Sequence, residues 1–161
     1  MSWFAIYTRP KNEKKVAFSL EKMGIEAYCP MITQVKQWSD RKKKVETPLI
    51  NSYVFVNINE KDRNLVFEVP GVVRYLFWLG KPAIVKNSEI ETMQEWLQGE
   101  ISDSRVQELK TGDTYIIQNN AFNGQEGIIN EVSKNRVQIV LKELGMKITL
   151  TKEKPVRTIL L

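Results

Sequence analysis

Residues 52–58 read SYVFVNI and give the clearest strand signal in the chain. Side chains alternate between the two faces of a strand, so Val54 and Val56 point one way while Tyr53 and Phe55 point the other. Both faces are therefore apolar, whereas a sheet with helices on one side needs only one apolar face. We expect the second face to be covered by more helix, by another domain or by a partner.

The segments around this strand predict an α+β domain over residues 1–97. Strand and helix patterns alternate, so we expect a mainly antiparallel sheet with three helices packed on it. The third helix is predicted to begin at Ser88, where Glu91 completes a capping box. The earlier elements are predicted at 3–8 (strand), 11–23 (helix), 26–37 (strand), 60–69 (helix) and 72–79 (strand).

The last third of the chain has a different pattern. Residues 98–110 carry few large apolar side chains and are predicted to be a linker. Short strands separated by turn residues follow, and together they predict a small all-β barrel over residues 111–161. These strands are predicted at 114–118, 126–131, 136–141, 146–150 and 156–160.

The overall composition predicts a globular cytoplasmic protein. Hydrophobic residues make up 42% of the chain and charged residues 27%, a mixture typical of folded domains. No apolar run reaches the roughly 18 residues that a membrane helix needs. The N-terminus lacks the features of a secretory signal, and the single cysteine, Cys29, excludes an internal disulfide.

A basic cluster stands out in the predicted hairpin tip at residues 38–45. It consists of Arg41, Lys42, Lys43 and Lys44. Projecting cationic loops attract phosphate backbones without reading base sequence, so the cluster is a candidate nucleic-acid contact. The alternative is a solvated tip that serves only solubility.

The chain offers no residues for the common enzymatic chemistries. It contains no histidine, which removes the commonest general base and the commonest transition-metal ligand. One cysteine without histidine does not build the usual zinc site, and no glycine-rich phosphate loop or nucleophile motif is present. We therefore predict no catalytic residue, no metal and no cofactor.

Residues 112–132, GDTYIIQNNAFNGQEGIINEV, resemble a KOW motif. In that family the motif opens with Gly-Asp, has Phe-x-Gly-x-x-Gly at its centre and closes on a hydrophobic strand. Glycines permit the tight turn and the close approach of strands. The matching positions are Gly112, Asp113, Phe122, Gly124 and Gly127.

The first part of the chain resembles the N-terminal domain of the NusG family. The similarity rests on the opening Trp3-Phe4 strand, on PLINSYVFV at 48–56 and on VPGVVRYLFWLGKPAIV at 69–85. Together with the KOW motif it covers nearly the whole chain in the family's domain order. Residues 28–37, YCPMITQVKQ, resemble the specialised RfaH-like and polysaccharide-operon antiterminators rather than housekeeping NusG.

The resemblance implies a factor that docks an apolar pocket onto the clamp helices of the RNA polymerase β′ subunit. It also implies a bridge toward the β subunit, which suppresses pausing. The positions that match the pocket are Tyr53 and Phe55, and Phe77 and Trp78 extend the patch.

The resemblance also implies a DNA contact. Arg9 and Lys15 match positions that face non-template DNA in RfaH-like factors, and the basic cluster adds to this expected DNA-facing surface. The KOW domain is expected to contact a termination factor or a ribosomal protein. We expect the protein to be a monomer without membrane contact.

Two segments depart from the family pattern. Ile50-Asn51-Ser52 replaces Phe-Pro-Gly before the pocket strand. Asp62-Arg63-Asn64 stands where RfaH points a histidine-threonine motif at the β subunit, so the sequence leaves that second contact open.

Two questions about the KOW region follow. RfaH covers its pocket with a C-terminal helical hairpin, but the C-terminal strands here are rich in β-branched residues, so we predict a barrel and an open or loosely covered pocket. The alternative function is a KOW-type RNA-binding or ribosome-associated protein. Near-equal numbers of basic and acidic residues after residue 98 argue against it.

Overall fold

The computed structural model describes residues 1–37, 39–99, 101–108, 129–132 and 136–152. Its N-terminal sheet has the strand order β2–β5–β1–β6, and β9 also pairs with β1. All of these pairings are antiparallel. The strands are β1 (Ser2–Thr8), β2 (Glu26–Tyr28), β5 (Tyr53–Ile58), β6 (Val72–Tyr75) and β9 (Ile84–Val85).

The predicted alternation along β5 is confirmed. Val54 and Val56 lie in a buried cluster with helix α1 (Glu13–Lys22), where Val16 is fully buried. Phe55 lies in a separate buried cluster on the opposite face of the sheet. Both faces of the sheet are therefore covered, as two apolar faces require.

The helices are those the sequence predicts, with shifted ends. Helix α1 starts two residues later than expected, because Lys11 has a left-handed backbone (φ 67°) and donates its N–H to the Glu13 carboxylate at 2.8 Å. The predicted helix at 60–69 is a 3₁₀ helix, Glu60–Glu68.

The third helix, α2 (Asn87–Trp96), begins earlier than predicted. The N–H of Lys86 donates to the Glu89 carboxylate at 2.9 Å. The capping box predicted with Ser88 and Glu91 is therefore wrong, because the acidic side chain at the third helical position is Glu89.

The single strand predicted at 72–79 is broken in two. After β6 the N–H of Leu76 still bonds to the Ala5 carbonyl at 2.9 Å. The chain then forms a small hairpin from β7 (Phe77–Trp78) and β8 (Lys81–Pro82). Its turn residues, Leu79 and Gly80, both have positive φ, as a type I′ hairpin turn requires.

The basic cluster lies mostly in a strand rather than in a tip. Strand β3 (Met31–Gln37) pairs with β4 (Lys42–Pro48) along its whole length, from Met31 opposite Pro48 to Gln37 opposite Lys42. Lys42, Lys43 and Lys44 are therefore strand residues, and Arg41 directly precedes them. The hairpin is longer than predicted because its backbone pairing continues through polar side chains, which the apolar pattern does not mark.

The C-terminal sheet has the antiparallel order β10–β13–β12–β11. The predicted strands at 136–141 and 146–150 are confirmed, and β11 overlaps the one predicted at 126–131. The strands predicted at 114–118 and 156–160 lie outside the described residues, and closure into a barrel stays a prediction. The strands are β10 (Asp103–Glu108), β11 (Ile129–Val132), β12 (Arg136–Leu141) and β13 (Met146–Thr151).

One of these strands comes from the predicted linker. Residues 103–108 form β10, which pairs with β13 from Asp103 opposite Thr151 to Glu108 opposite Met146. In the part of the sheet that the structure describes, β10 is an edge strand stabilised by backbone hydrogen bonds, which explains why few of its side chains are apolar. The boundaries at 97 and 111 stay a prediction.

No helix among the described residues is both long enough and apolar enough to span a membrane.

We expect Leu20→Ala to lower the free energy of unfolding by about 2–5 kcal/mol, because Leu20 is fully buried between α1 and the sheet. Urea denaturation followed by circular dichroism measures this loss. Phe18→Ala is the matched control on the same helix. Phe18 is 59% exposed, so its loss should stay within about 0.5 kcal/mol. Equal losses would contradict the assignment of the helix face.

Candidate functional site

The candidate site is the face of the N-terminal sheet that carries Tyr53 and Phe55, here called the covered face. Its residues form cross-strand rows, because side chains opposite each other on paired strands share a face. The central row holds Tyr28, Phe55 and Ala5 on β2, β5 and β1. Leu76 continues this row through its hydrogen bond to Ala5.

The central row is apolar and tightly packed. Phe55 is fully buried, and its ring stacks with that of Tyr28 at a centroid distance of 6.5 Å. Burial is the main cause that raises the pKa of the Tyr28 hydroxyl above its ordinary value. The row is therefore an apolar platform at the middle of the sheet.

The next row is polar and holds Tyr53, Tyr7 and Arg74 on β5, β1 and β6. The Tyr53 hydroxyl donates to the Tyr7 hydroxyl at 2.7 Å. The Arg74 guanidinium carbon lies 4.7 Å from the centre of the Tyr7 ring, a cation–π distance. Burial is the main cause that raises the pKa of Tyr53, and the hydrogen bond with Tyr7 is the second. The charge of Glu108 also raises this pKa, whereas the charge of Arg74 lowers it.

Helix α2 and the C-terminal sheet together cover this face. Phe55 shares one buried cluster with Ile90 and Met93 of α2 and with residues of β12 and β13, namely Val137, Ile139, Ile148 and Leu150. The prediction of an open or loosely covered pocket is therefore wrong for this structure. The physical reason is that β12 and β13 also carry an apolar face, and each sheet buries the other's.

Polar contacts join the two sheets at the rim of this cluster. The N–H of Ile84 donates to the Glu143 carboxylate at 3.3 Å. Lys152 donates to the Gln98 carbonyl at 3.0 Å, and its ammonium lies 5.4 Å from the Trp96 ring centre. These contacts lie at the surface, where polar interactions stabilise little, so the buried apolar cluster is the main source of the attachment.

A small cavity of about 90 Å³ lies in the same contact region. Glu89 lines it from α2 and Glu143 lines it from the C-terminal region. Glu89 is only 5% exposed. Burial raises the pKa of Glu89 to about 7, and the nearby Glu143 raises it as well, while the hydrogen bond from Lys86 lowers it.

Phe77 and Trp78 lie outside the buried cluster. They form β7 and are 53% and 37% exposed. Their strand contacts the short 3₁₀ turn Lys142–Leu144 of the C-terminal region. The structure therefore places them beside the covered face rather than within it.

The predicted DNA-facing residues lie in three places. Arg9 follows β1 and donates its N–H to the Gly71 carbonyl at 2.9 Å, and Lys15 is exposed on α1. Arg41 and Lys42 to Lys44 are exposed on the β3–β4 hairpin. An ion pair of 3.1 Å between Lys14 and Glu46 ties the hairpin to α1.

The five residues assigned to the KOW motif, Gly112, Asp113, Phe122, Gly124 and Gly127, lie outside the described residues.

Sequence reasoning missed three residues of this region, namely Tyr7, Arg74 and Glu89. The alternation of Trp3, Ala5 and Tyr7 along β1 could have placed Tyr7 on the covered face. Arg74 is the one charged residue in the apolar segment 72–79. No local signal marks Glu89, because its burial depends on contact with a distant part of the chain.

A family model described as "Transcription termination factor nusG" matches residues 1–94. The chain belongs to the NusG family. It is therefore a NusG-family transcription termination/antitermination factor, and the role in transcription and antitermination predicted from the sequence is confirmed.

Relatives in two rickettsias carry the name "Transcription termination/antitermination protein NusG". The protein of Rickettsia felis is 25% identical over 159 residues, which cover 89% of this chain and 82% of that protein. The protein of Rickettsia bellii is 25% identical over 150 residues, which cover 85% of this chain and 77% of that protein.

Among solved structures, one titled "Domain interaction in Thermotoga maritima NusG" is similar, with 20% identity and a TM-score of 0.41. The match covers 94% of this chain and 92% of that chain.

The buried Glu89 predicts a pH dependence of this NusG-family protein. Its folded pKa of about 7 lies above the ordinary value of 4.5, so the folded state binds the proton more tightly. This stabilisation is present below pH 4.5 and is lost as the pH rises through 7, at up to about 1.4 kcal/mol per pH unit. Thermal unfolding followed from pH 5 to pH 8 measures the loss.

Glu89→Gln keeps a side-chain acceptor for Lys86 and removes the charge. We expect it to flatten the fall in stability above pH 5. Glu91→Gln, an exposed position on the same helix, should keep the wild-type profile. Identical profiles for wild type and Glu89→Gln would contradict the assignment.

Proposed function

We propose that this protein is an elongation and antitermination factor that binds the β′ clamp helices of RNA polymerase through the covered face. The observation that supports this most directly is the position of Phe55. It stands at the centre of an apolar row on the side of the sheet away from α1, and residues from a distant part of the chain cover it.

Binding to the polymerase requires that the C-terminal sheet leaves this face. The apolar side chains of the covered face would lose contact with β12 and β13 and would again be removed from water by contact with a partner helix. The C-terminal sheet and the polymerase therefore compete for one surface. The apparent affinity for polymerase equals the intrinsic affinity multiplied by the fraction of molecules in which the face is uncovered.

The exposed Phe77 and Trp78 are proposed to extend the polymerase contact beyond the covered face. They need no rearrangement to reach a partner, because both are already solvent-accessible. Such residues suit a first encounter that precedes displacement of the cover. A contact with the β subunit is proposed from the family resemblance alone.

We further propose an RfaH-like specialisation for selected operons, which rests on residues 28–37 and on the basic side chains. Arg9, Lys15 and the basic cluster at 41–44 would face non-template DNA. The KOW region would contact a termination factor or a ribosomal protein. The protein would act in the cytoplasm as a monomer.

The first test is binding of the full-length protein to purified core RNA polymerase. Phe55→Ala should lower the affinity at least tenfold, because it removes the centre of the apolar row. Val54→Ala is the matched control, since Val54 is equally buried on the same strand but faces α1. It should bind like wild type under conditions where both variants are folded.

Two results would contradict the proposal. If Phe55→Ala and Val54→Ala weaken binding equally, the loss of binding comes from a lower stability of the domain and not from a lost contact on the covered face. If neither wild type nor variants bind polymerase, binding to RNA and sedimentation with ribosomes would favour the KOW-type alternative.

The basic cluster predicts a salt-dependent contact with single-stranded DNA in the elongation complex. We expect Lys42, Lys43 and Lys44 together changed to Gln to reduce the slope of log affinity against log salt by about 2, because each phosphate contact contributes about 0.7. Titration of polymerase complexes with an exposed non-template strand measures the slope.

The matched control neutralises Lys61, Lys81 and Lys86, which are also exposed but lie on other elements. It removes the same charge and should leave the slope unchanged. Equal reductions for both triple variants would indicate a general charge effect and contradict a DNA contact by the hairpin.

A further inference from the structure

The polar row of the covered face has a chemistry that the apolar docking described above does not use. Tyr53, Tyr7 and Arg74 lie directly opposite one another on three neighbouring strands. The hydroxyl groups of Tyr53 and Tyr7 are 2.7 Å apart, so the pair uses one of its two hydroxyl protons internally. One hydroxyl proton is left for an outside acceptor.

Arg74 adds a fixed cation to this row. Its guanidinium lies over the Tyr7 ring at 4.7 Å, which orients the planar group and limits its rotamers. Among the residues that the structure describes, Arg74 has no ion-pair partner. The row therefore presents several N–H donors and one O–H donor on one face of the sheet.

We propose that Tyr53, Tyr7 and Arg74 form a receptor for the carboxylate of an acidic side chain on the polymerase helix that occupies the covered face. The inference rests on the proposed function and adds a specificity element to it. An arginine fork beside a hydroxyl donor matches a carboxylate in both charge and geometry.

The apolar row beside the polar row favours a protein helix with a carboxylate over a nucleic-acid phosphate. Tyr53 and Phe55 are two residues apart on one strand, so the polar and apolar rows are separated by about 6.7 Å. Residues i and i+4 of a helix are about 6 Å apart along its axis. A helix with an acidic residue one turn from an apolar residue therefore fits both rows at once.

The covering sheet carries an acid whose charge acts on this row. Burial is the main cause that raises the pKa of Tyr53; the charge of Arg74 lowers it, and the charge of Glu108, at the end of β10, raises it.

The test measures binding of full-length variants to core RNA polymerase. Arg74→Gln should lower the affinity about 10- to 100-fold, the range expected for a lost charge-assisted hydrogen bond. Arg74→Glu should lower it further, because it sets two carboxylates against each other. Tyr7→Phe keeps the ring under Arg74 and should give a smaller loss.

Lys22→Gln is the matched control. Its ammonium also lies over an aromatic ring, 4.5 Å from the centre of the Phe18 ring, but on α1 and away from the covered face. It should bind polymerase like wild type. Thermal unfolding of Arg74→Gln should match that of wild type, since Arg74 is exposed.

The outcomes separate this inference from the proposed function. If Phe55→Ala loses binding while Arg74→Gln and Arg74→Glu bind as well as wild type or better, the carboxylate receptor is overturned and the apolar docking stands. If Arg74→Glu binds no worse than Arg74→Gln, recognition of a carboxylate is overturned. If wild type does not bind polymerase at all, both proposals fail.

Discussion

The structure depends on one constraint, which is that the central strands β1 and β5 are apolar on both faces. A sheet of this kind is stable in water only when both faces are buried. Helix α1 and the 3₁₀ helix meet this need on one side with local chain segments. The other side is closed by α2 and by the C-terminal sheet, which comes from more than forty positions later in the chain.

The two covers differ in how permanently they are attached. Helix α1 follows β1 after a short connection and cannot leave without unfolding the domain. The C-terminal sheet shares an apolar cluster with Phe55 and adds polar contacts at the surface, such as Lys152 on Trp96. Glu89 is buried at this contact, and burial together with the nearby Glu143 raises its pKa, so the contact contains a group that titrates near neutral pH. The face that carries the proposed function is therefore the one with the replaceable cover.

Sequence reasoning predicted the parts of the fold that depend on local periodicity. The alternation in SYVFVNI separated Val54 from Phe55 correctly, and the spacing of Val16 and Leu20 gave the helix that packs on Val54. It failed where a distant contact decides the structure. Residues 103–108 form an edge strand because β13 is available beside them, and Glu89 is buried because the C-terminal region packs on α2.

The candidate site also combines residues that a local sequence pattern predicts with residues that only the pairing of distant strands brings together. Tyr53 and Phe55 follow from one strand, but the row Tyr53–Tyr7–Arg74 needs the register of three strands that are far apart in sequence. A shift of one residue in either pairing would turn Tyr7 or Arg74 to the opposite face. The register that buries Phe55 at the centre of the sheet therefore also aligns the two tyrosines with the arginine. The proposed apolar docking and the proposed carboxylate recognition therefore depend on one and the same strand alignment.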